Sequence, residues 1–186
     1  MRISKRAVAA LVAVGAIAIA SMAIAVSASG ADPGDQDGDG NGAPLLTATM
    51  APSEPATPSE AAATEPTIHG VVPGGAPWVL QRGDVQLKGD GKLNLRLQGL
   101  VIPVAPGNGT PGPVTTINAS LYCGADANHT PAATTRTVPI SRSGDARIAD
   151  TISVPPTCLA PVILVHPNPA PDGTSGAYIA VDGWRS

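Results

Sequence analysis

Residues 85–98 read VQLKGDGKLNLRLQ. Val85, Leu87, Leu93, Leu95 and Leu97 alternate with Gln86, Lys88, Lys92, Asn94, Arg96 and Gln98. An apolar set recurring at every second residue lines one face of a pleated strand, whereas a helix needs a spacing of three to four. Between the two halves stands Gly89-Asp90-Gly91, a tight reversal in which glycine accepts backbone angles other residues resist. The stretch predicts a hairpin whose leucines enter a core while Lys92, Asn94, Arg96 and Gln98 face water.

Working outward, no neighbouring stretch offers ten residues of helical period, and short apolar runs alternate with turn residues. Leu100, Val101, Ile102 and Val104 extend the apolar edge as far as a loop at residues 106–113, rich in proline and glycine. VTTINASLYC at 114–123 places Ile117, Ala119, Leu121 and Cys123 on one face and Thr116, Asn118, Ser120 and Tyr122 on the other. Residues 134–140 read as a threonine-rich strand that Pro139 confines to an edge. Ser143-Gly144-Asp145 turns into a strand carrying Ile148, Ile152 and Val154, and Pro155-Pro156 ends it. Residues 162–165 form a continuous apolar run suited to a strand buried on both faces. A closing strand follows at 177–184, with Tyr178, Ala180 and Asp182 on one side and Ile179 and Val181 on the other. About seven short strands at this spacing predict an all-β fold, an antiparallel β-sandwich of immunoglobulin-like proportions. A small barrel is the alternative, and no tryptophan lies between the two cysteines as it does in true immunoglobulin domains.

Upstream of this domain, 77–186, composition changes twice. Arg2, Lys5 and Arg6 precede an apolar run from Ala7 to Val26 that ends in Ser27-Ala28-Ser29-Gly30-Ala31. Positive, apolar and small residues in that order mark residues 1–30 as a signal peptide. The run is long enough that an uncleaved transmembrane anchor competes with cleavage, and either reading puts the remainder outside the cytoplasm. Residues 31–76 carry Asp32, Asp35, Asp37, Asp39, Glu54, Glu60 and Glu65 and no basic residue, amid repeated Pro, Ala, Thr and Ser. Such a composition predicts a disordered, extended linker. With 21 Gly, 20 Pro and no Phe in 186 residues, the chain as a whole cannot be a single uniform globule. The part from 77 onward holds eight Lys or Arg against seven Asp, so no basic field for nucleic acid is present.

Cys123 and Cys158 are the chain's two cysteines, and export makes their oxidation the default. They lie too far apart in sequence for a redox pair and are too few for zinc, so the expected site is a structural disulfide. The remaining motifs are weak. Asp35, Asp37, Asp39 and Gly40 imitate the first half of a calcium loop, but Leu46 stands where a bidentate Glu is required. Gly107-Asn108-Gly109-Thr110-Pro111-Gly112 spells a nucleotide loop yet leads into a strand rather than a helix. Arg82-Gly83-Asp84 spells an adhesion tripeptide but reads as a turn before Val85. Asn108, Asn118 and Asn128 each begin an acceptor for N-glycosylation. His69, His129 and His166 are dispersed, and no nucleophile elbow or metalloprotease motif accompanies them. Neither a cofactor nor a metal site is expected.

The segments LRLQGLVIP, ASLYC, SGDARI, VPPTCLAPVILVHPNP and AYIAVDGW, spread over roughly residues 77–186, resemble a group of small uncharacterised secreted proteins of actinobacteria. The resemblance implies export and paired cysteines and lends no activity. Together these features predict a non-enzymatic, secreted or surface-tethered module that binds or packs at the cell envelope. Its expected partner is an envelope or extracellular component, not nucleic acid, and a membrane only if the N-terminal apolar segment is retained. The alternative is a secreted hydrolase with a site near His166. A cleft placing that histidine beside a serine or an acid would favour the second reading, and simple packing at a strand end the first.

Overall fold

The computed structural model describes residues 43–55, 66–125, 130–170 and 176–183. Its strands, in chain order, are β1 (Pro44–Pro52), β2 (Val72–Pro73), β3 (Arg82–Lys88), β4 (Lys92–Gln98), β5 (Thr116–Tyr122), β6 (Ala133–Thr134), β7 (Val138–Pro139), β8 (Ala146–Thr151), β9 (Val162–Pro167), β10 (Ala177–Tyr178) and β11 (Ala180–Asp182). The described part is all-β, and no helix long and apolar enough to cross a membrane occurs in it. The segment expected to be a signal or anchor, 1–30, lies outside the described residues.

Antiparallel pairing runs unbroken through one curled sheet, ordered β6-β5-β9-β11-β1-β3-β4-β8, with β7 also on β5. Hydrogen bonding therefore follows a single continuous path where two separate layers were expected. Strand β1 is where the path bends. Its first part, to Thr49, pairs with β3, and Met50, Ala51 and Pro52 pair with β11. The sheet thus has two halves, β1-β3-β4-β8 and β11-β9-β5-β6/β7. Their inner faces share one core: Leu87, Leu95, Leu97 and Ile148 from the first pack with Ile117, Leu121, Ile163 and Val165 from the second.

The 85–98 hairpin forms in the expected register, Val85 opposite Leu95 and Leu87 opposite Leu93. The five apolar side chains are buried and the polar ones opposite are exposed, apart from partly buried Lys88. At the reversal Gly91 has φ +86°, and a Cβ there would collide with the carbonyl oxygen of Ile152, so only glycine fits. The Ser143-Gly144-Asp145 turn is also present, with Gly144 at φ +81° against the backbone of Leu100.

Three expectations change. Pro44–Pro52, which composition assigns to the disordered linker, is an ordered strand in the middle of the sheet. Its period is real: Leu46, Ala48 and Met50 pack toward the core while Thr47 and Thr49 are exposed. A register shift between Pro44 and Leu46, and the small size of alanine, hide that alternation. Residues 31–42 and 56–65 of the same expected linker lie outside the described residues. Secondly, the single strand expected at 134–140 is two short pieces. Between them the buried hydroxyl Oγ1 of Thr135 accepts from Ala119 N–H at 3.0 Å, standing in for a ladder bond. Thirdly, the closing strand is interrupted at Ile179. Ile179 N–H donates to Val165 O at 2.8 Å, while Ala180 also sits opposite Val165. Two residues against one is a bulge, and it turns both Ile179 and Ala180 inward. Trp184 lies outside the described residues.

The ends of the sheet are joined by side chains. Arg136 N–H donates to Asp150 Oδ2 at 2.8 Å, and its guanidinium reaches Ala149 O at 3.2 Å and Asp150 Oδ1 at 3.3 Å. Edge strand β8 is thereby partly covered, which hinders pairing with another chain.

Candidate functional site

The cysteine pair stands where the sequence suggests. Cys123 follows β5 and Cys158 precedes β9, with their Cα atoms 5.0 Å apart and their sulfurs bonded. Strands β5 and β9 are already neighbours, their last aligned pair being Tyr122 and Val162. The bond therefore closes the end of an existing ladder, assisted by Gly124 N–H donating to Leu159 O. Closing a loop across a sequence separation of 35 residues stabilises by about 4 kcal/mol in the chain-entropy model. This site is structural.

His166 is packed, with 1% of its surface exposed. On β9 it lies opposite Asn118 of β5, itself fully buried. Because a carbonyl can only accept, the 2.8 Å contact with Ala177 O requires Nδ1–H to donate, which fixes where the ring's proton sits when it is neutral. Burial pushes its pKa below the usual histidine value, and the bond to Ala177 opposes this only in part. The ring of Tyr122 meets it edge-on at 6.4 Å, and His69 stacks on Tyr122 at 5.2 Å. Neither a serine hydroxyl nor a carboxylate is hydrogen-bonded to His166 among the described residues, so the arrangement that orients a general base is not assembled around it.

On the same side of the sheet as His166 lies a strap, residues 66–74. Tyr178 hydroxyl donates to Pro66 O at 2.8 Å, Gly74 N–H donates to Tyr178 O at 2.7 Å, and β2 runs parallel to β10. Beneath it Val71, Tyr122, Leu164 and Tyr178 make a second apolar cluster on the outer side of β5 and β9. Asn118, Ser120 and Tyr122, which alternation puts on the face opposite Ile117 and Leu121, are buried for this reason.

The weaker motifs also find their places. Arg82-Gly83-Asp84 belongs to β3 and is not a turn; its arginine and aspartate pair with each other at 3.0 Å. Gly83 faces Met50, which a Cβ would meet at 2.6 Å. Asn108 is exposed, Asn118 is inaccessible to a glycosyltransferase, and Asn128 lies outside the described residues. Residues 107–112 form a loop between strands. The acidic stretch at 35–40 and His129 are outside the described residues, and no group of three metal-ligating side chains occurs among those described.

The outer face of β1-β3-β4-β8 is the opposite of the strapped one. Its exposed side chains form rows across the strands: Thr49, Asp84, Arg96 and Arg147 in one, and Thr47, Gln86, Asn94 and Ala149 in the next. A depression of about 410 Å³ lies over the first three strands, lined by Thr47, Ala48, Thr49, Asp84, Val85, Gln86, Asn94 and Arg96. That volume suits a small ligand or a segment of a polymer. A second depression of about 500 Å³ opens where β1 leaves β3, bounded by Met50, Leu80, Arg82 and Gly83 and sharing Thr49 and Asp84 with the first. A third, smaller one lies among Arg82, Asp84, Arg96 and Gln98. Asp84 borders all three. No aromatic side chain lines them, so what they offer a ligand is hydrogen bonds and charge.

No protein-family model, curated protein or solved structure matches the chain. The site therefore rests on its own geometry. Sequence reasoning placed the polar residues of β3 and β4 in water but not the site, because Thr47, Thr49 and Arg147 join it only through pairing across the sheet.

Proposed function

We propose that this chain is a non-enzymatic, exported β-sandwich module, secreted or held at the cell surface, that binds an envelope component through the outer face of β1-β3-β4-β8. In this reading the two halves of the curled sheet are the sandwich's layers, joined through β1. One observation carries the functional part: a row of polar, hydrogen-bonding side chains crosses four strands and borders a 410 Å³ depression. A sheet face needs no such depression to be soluble, whereas a recognition surface needs both concavity and convergent polar groups. Export is supported by the signal pattern of residues 1–30 and by the disulfide, which persists in oxidising compartments. The resemblance to secreted actinobacterial proteins agrees with it. The hydrolase reading is not favoured, since His166 is buried with a backbone carbonyl as its partner.

A photoreactive residue placed at Asn94, and in a second variant at Leu159 beside the disulfide, tests this in the producing cell. Leu159 is 76% exposed and follows Cys158 at the end of the β5-β9 ladder, in the other half of the sheet, so it controls for nonspecific contact. Crosslinks to a discrete envelope component from position 94 and not from 159 are expected. Their absence at position 94 removes the reading.

A further inference from the structure

We infer that Arg96 and Arg147 form an anion clamp and that the face takes an acidic polysaccharide, a hydroxyl-rich polymer bearing carboxylates. The inference rests on the binding face proposed above and names its ligand class. The two arginines are register partners on β4 and β8, both exposed and on the same side of the sheet. Directly opposed residues place their Cβ atoms about 5 Å apart, and like charges there repel. Three cations of this fold are neutralised, Arg82 by Asp84 at 3.0 Å, Lys92 by Asp90 at 2.9 Å and Arg136 by Asp150 at 3.3 Å, whereas Lys88 and Arg142 stand singly and away from this row. Asp84 is the register neighbour of Arg96, yet its carboxylate is turned to Arg82. Arg96 and Arg147 make no ion pair or hydrogen bond with a described residue. Two guanidinium forks side by side, without a carboxylate of their own, present the geometry that binds a carboxylate by paired N–H donors.

The groups beside the clamp define the rest of the ligand. Thr47, Thr49, Gln86 and Asn94 both donate and accept, as the hydroxyls of a sugar chain require. Aromatic side chains on which bases could stack do not line the depressions, which disfavours single-stranded nucleic acid. Four strands at about 4.8 Å spacing make the row roughly 14 Å long, more than a single small anion covers, so a polymer fits it better than a free ion.

The test uses exported, oxidised protein in affinity gels containing polygalacturonate or neutral dextran, at low and high salt. Wild type is expected to be retarded by polygalacturonate and released by salt, and to pass dextran unhindered. Arg96→Ala and Arg147→Ala should each weaken retention about tenfold, the share expected of a charge-assisted hydrogen bond. Arg142→Ala, at an exposed turn residue outside the face, should leave it unchanged. Unfolding midpoints of all three variants confirm that each remains folded. Failure of wild type to bind polygalacturonate, equal binding to dextran, or full retention by the Arg96→Ala/Arg147→Ala double variant each overturns the clamp. Crosslinks at position 94 would then still uphold the face as a binding surface, and their absence would remove both.

Discussion

The two outer faces of one sheet have opposite fates. On β3 and β4 the polar positions are exposed, with Lys88 alone partly buried, and each inward position is buried, a clean period of two. On β5 and β9 both faces are buried, because residues 66–74 lie over the outer one and close on Tyr122, Leu164 and Tyr178. An open face is free for recognition, whereas a strapped one is a second, smaller core. The polar groups buried on the strapped side, Asn118, Ser120 and His166, are thus part of the packing, with Ser120 Oγ sharing a hydrogen bond with Thr134 Oγ1 at 3.0 Å.

The largest expected effect comes from β1, the strand that belongs to both halves. Replacing Pro44–Pro52 by a glycine-serine run of equal length removes the ladders to β3 and β11 together with buried Met50. Cooperative unfolding should be lost, as read by the denaturation curve, and a variant with an unchanged midpoint would show that the halves hold without it.

Next in size is a pair of leucines. Leu95 faces the main core and Leu164 the strap, and both are fully buried. Leu95→Ala and Leu164→Ala should each cost about 3 kcal/mol in chemical denaturation, while Asn94→Ala on the open face should stay within about 0.5 kcal/mol. If Leu164→Ala behaves like Asn94→Ala, the strap is not a core and the comparison breaks.

Acidification separates the faces further. The native state disfavours the charged form of His166, so its pKa lies below the unfolded value near 6.5. Above that value both states are neutral there and nothing is lost. As pH falls through it the unfolded chain takes up the proton first, and stability declines by at most about 1.4 kcal/mol per pH unit. Asp182, pushed up to about 6 by burial, acts in the opposite direction at lower pH, since the native state then holds its proton more tightly. Subtracting the profile of His166→Gln from that of wild type isolates the histidine. The wild type should lose ground relative to the variant between pH 7.5 and about 5.5, a window set by the unfolded value, and a flat difference would mean that His166 is not buried neutral. Elsewhere, hydrogen bonds hold Asp145 and Asp150 below the ordinary carboxylate range, so what they contribute is lost only at more acid pH.

The smallest effect belongs to the clamp. Arg147→Glu turns a repelling cross-strand pair into an attracting one and should raise stability by a few tenths of a kcal/mol to about 1 kcal/mol, most at low salt. A loss of stability would show that the two arginines are not in repulsion.

How much of this was legible beforehand differs from element to element. The hairpin of β3 and β4 was, down to its register, because Leu95 and its neighbours alternate strictly and Gly91 marks the turn. The cysteine pairing was, because two cysteines leave one intramolecular choice. Strand β1 was not: proline, alanine and threonine carry weak apolar signals, and a register shift obscures the period of Leu46, Ala48 and Met50. The splitting of the closing strand at Ile179 was equally hidden, since a bulge is visible only against the partner it opposes.

By itself, then, the sequence determined what is local: the strictly alternating strands, which side chains of the β3-β4 hairpin face inward, and which cysteines join. Only the tertiary structure decided that Thr49, Asp84, Arg96 and Arg147 stand in one row, drawn from four strands spread over some hundred residues. It also decided that the polar face of β5 is roofed by the strap while that of β4 stays open. The physical reason is that alternation fixes a side chain's direction relative to its own strand, whereas burial on the outer face depends on which distant segment packs there, and cross-strand neighbours are chosen by sheet order, which no local pattern encodes.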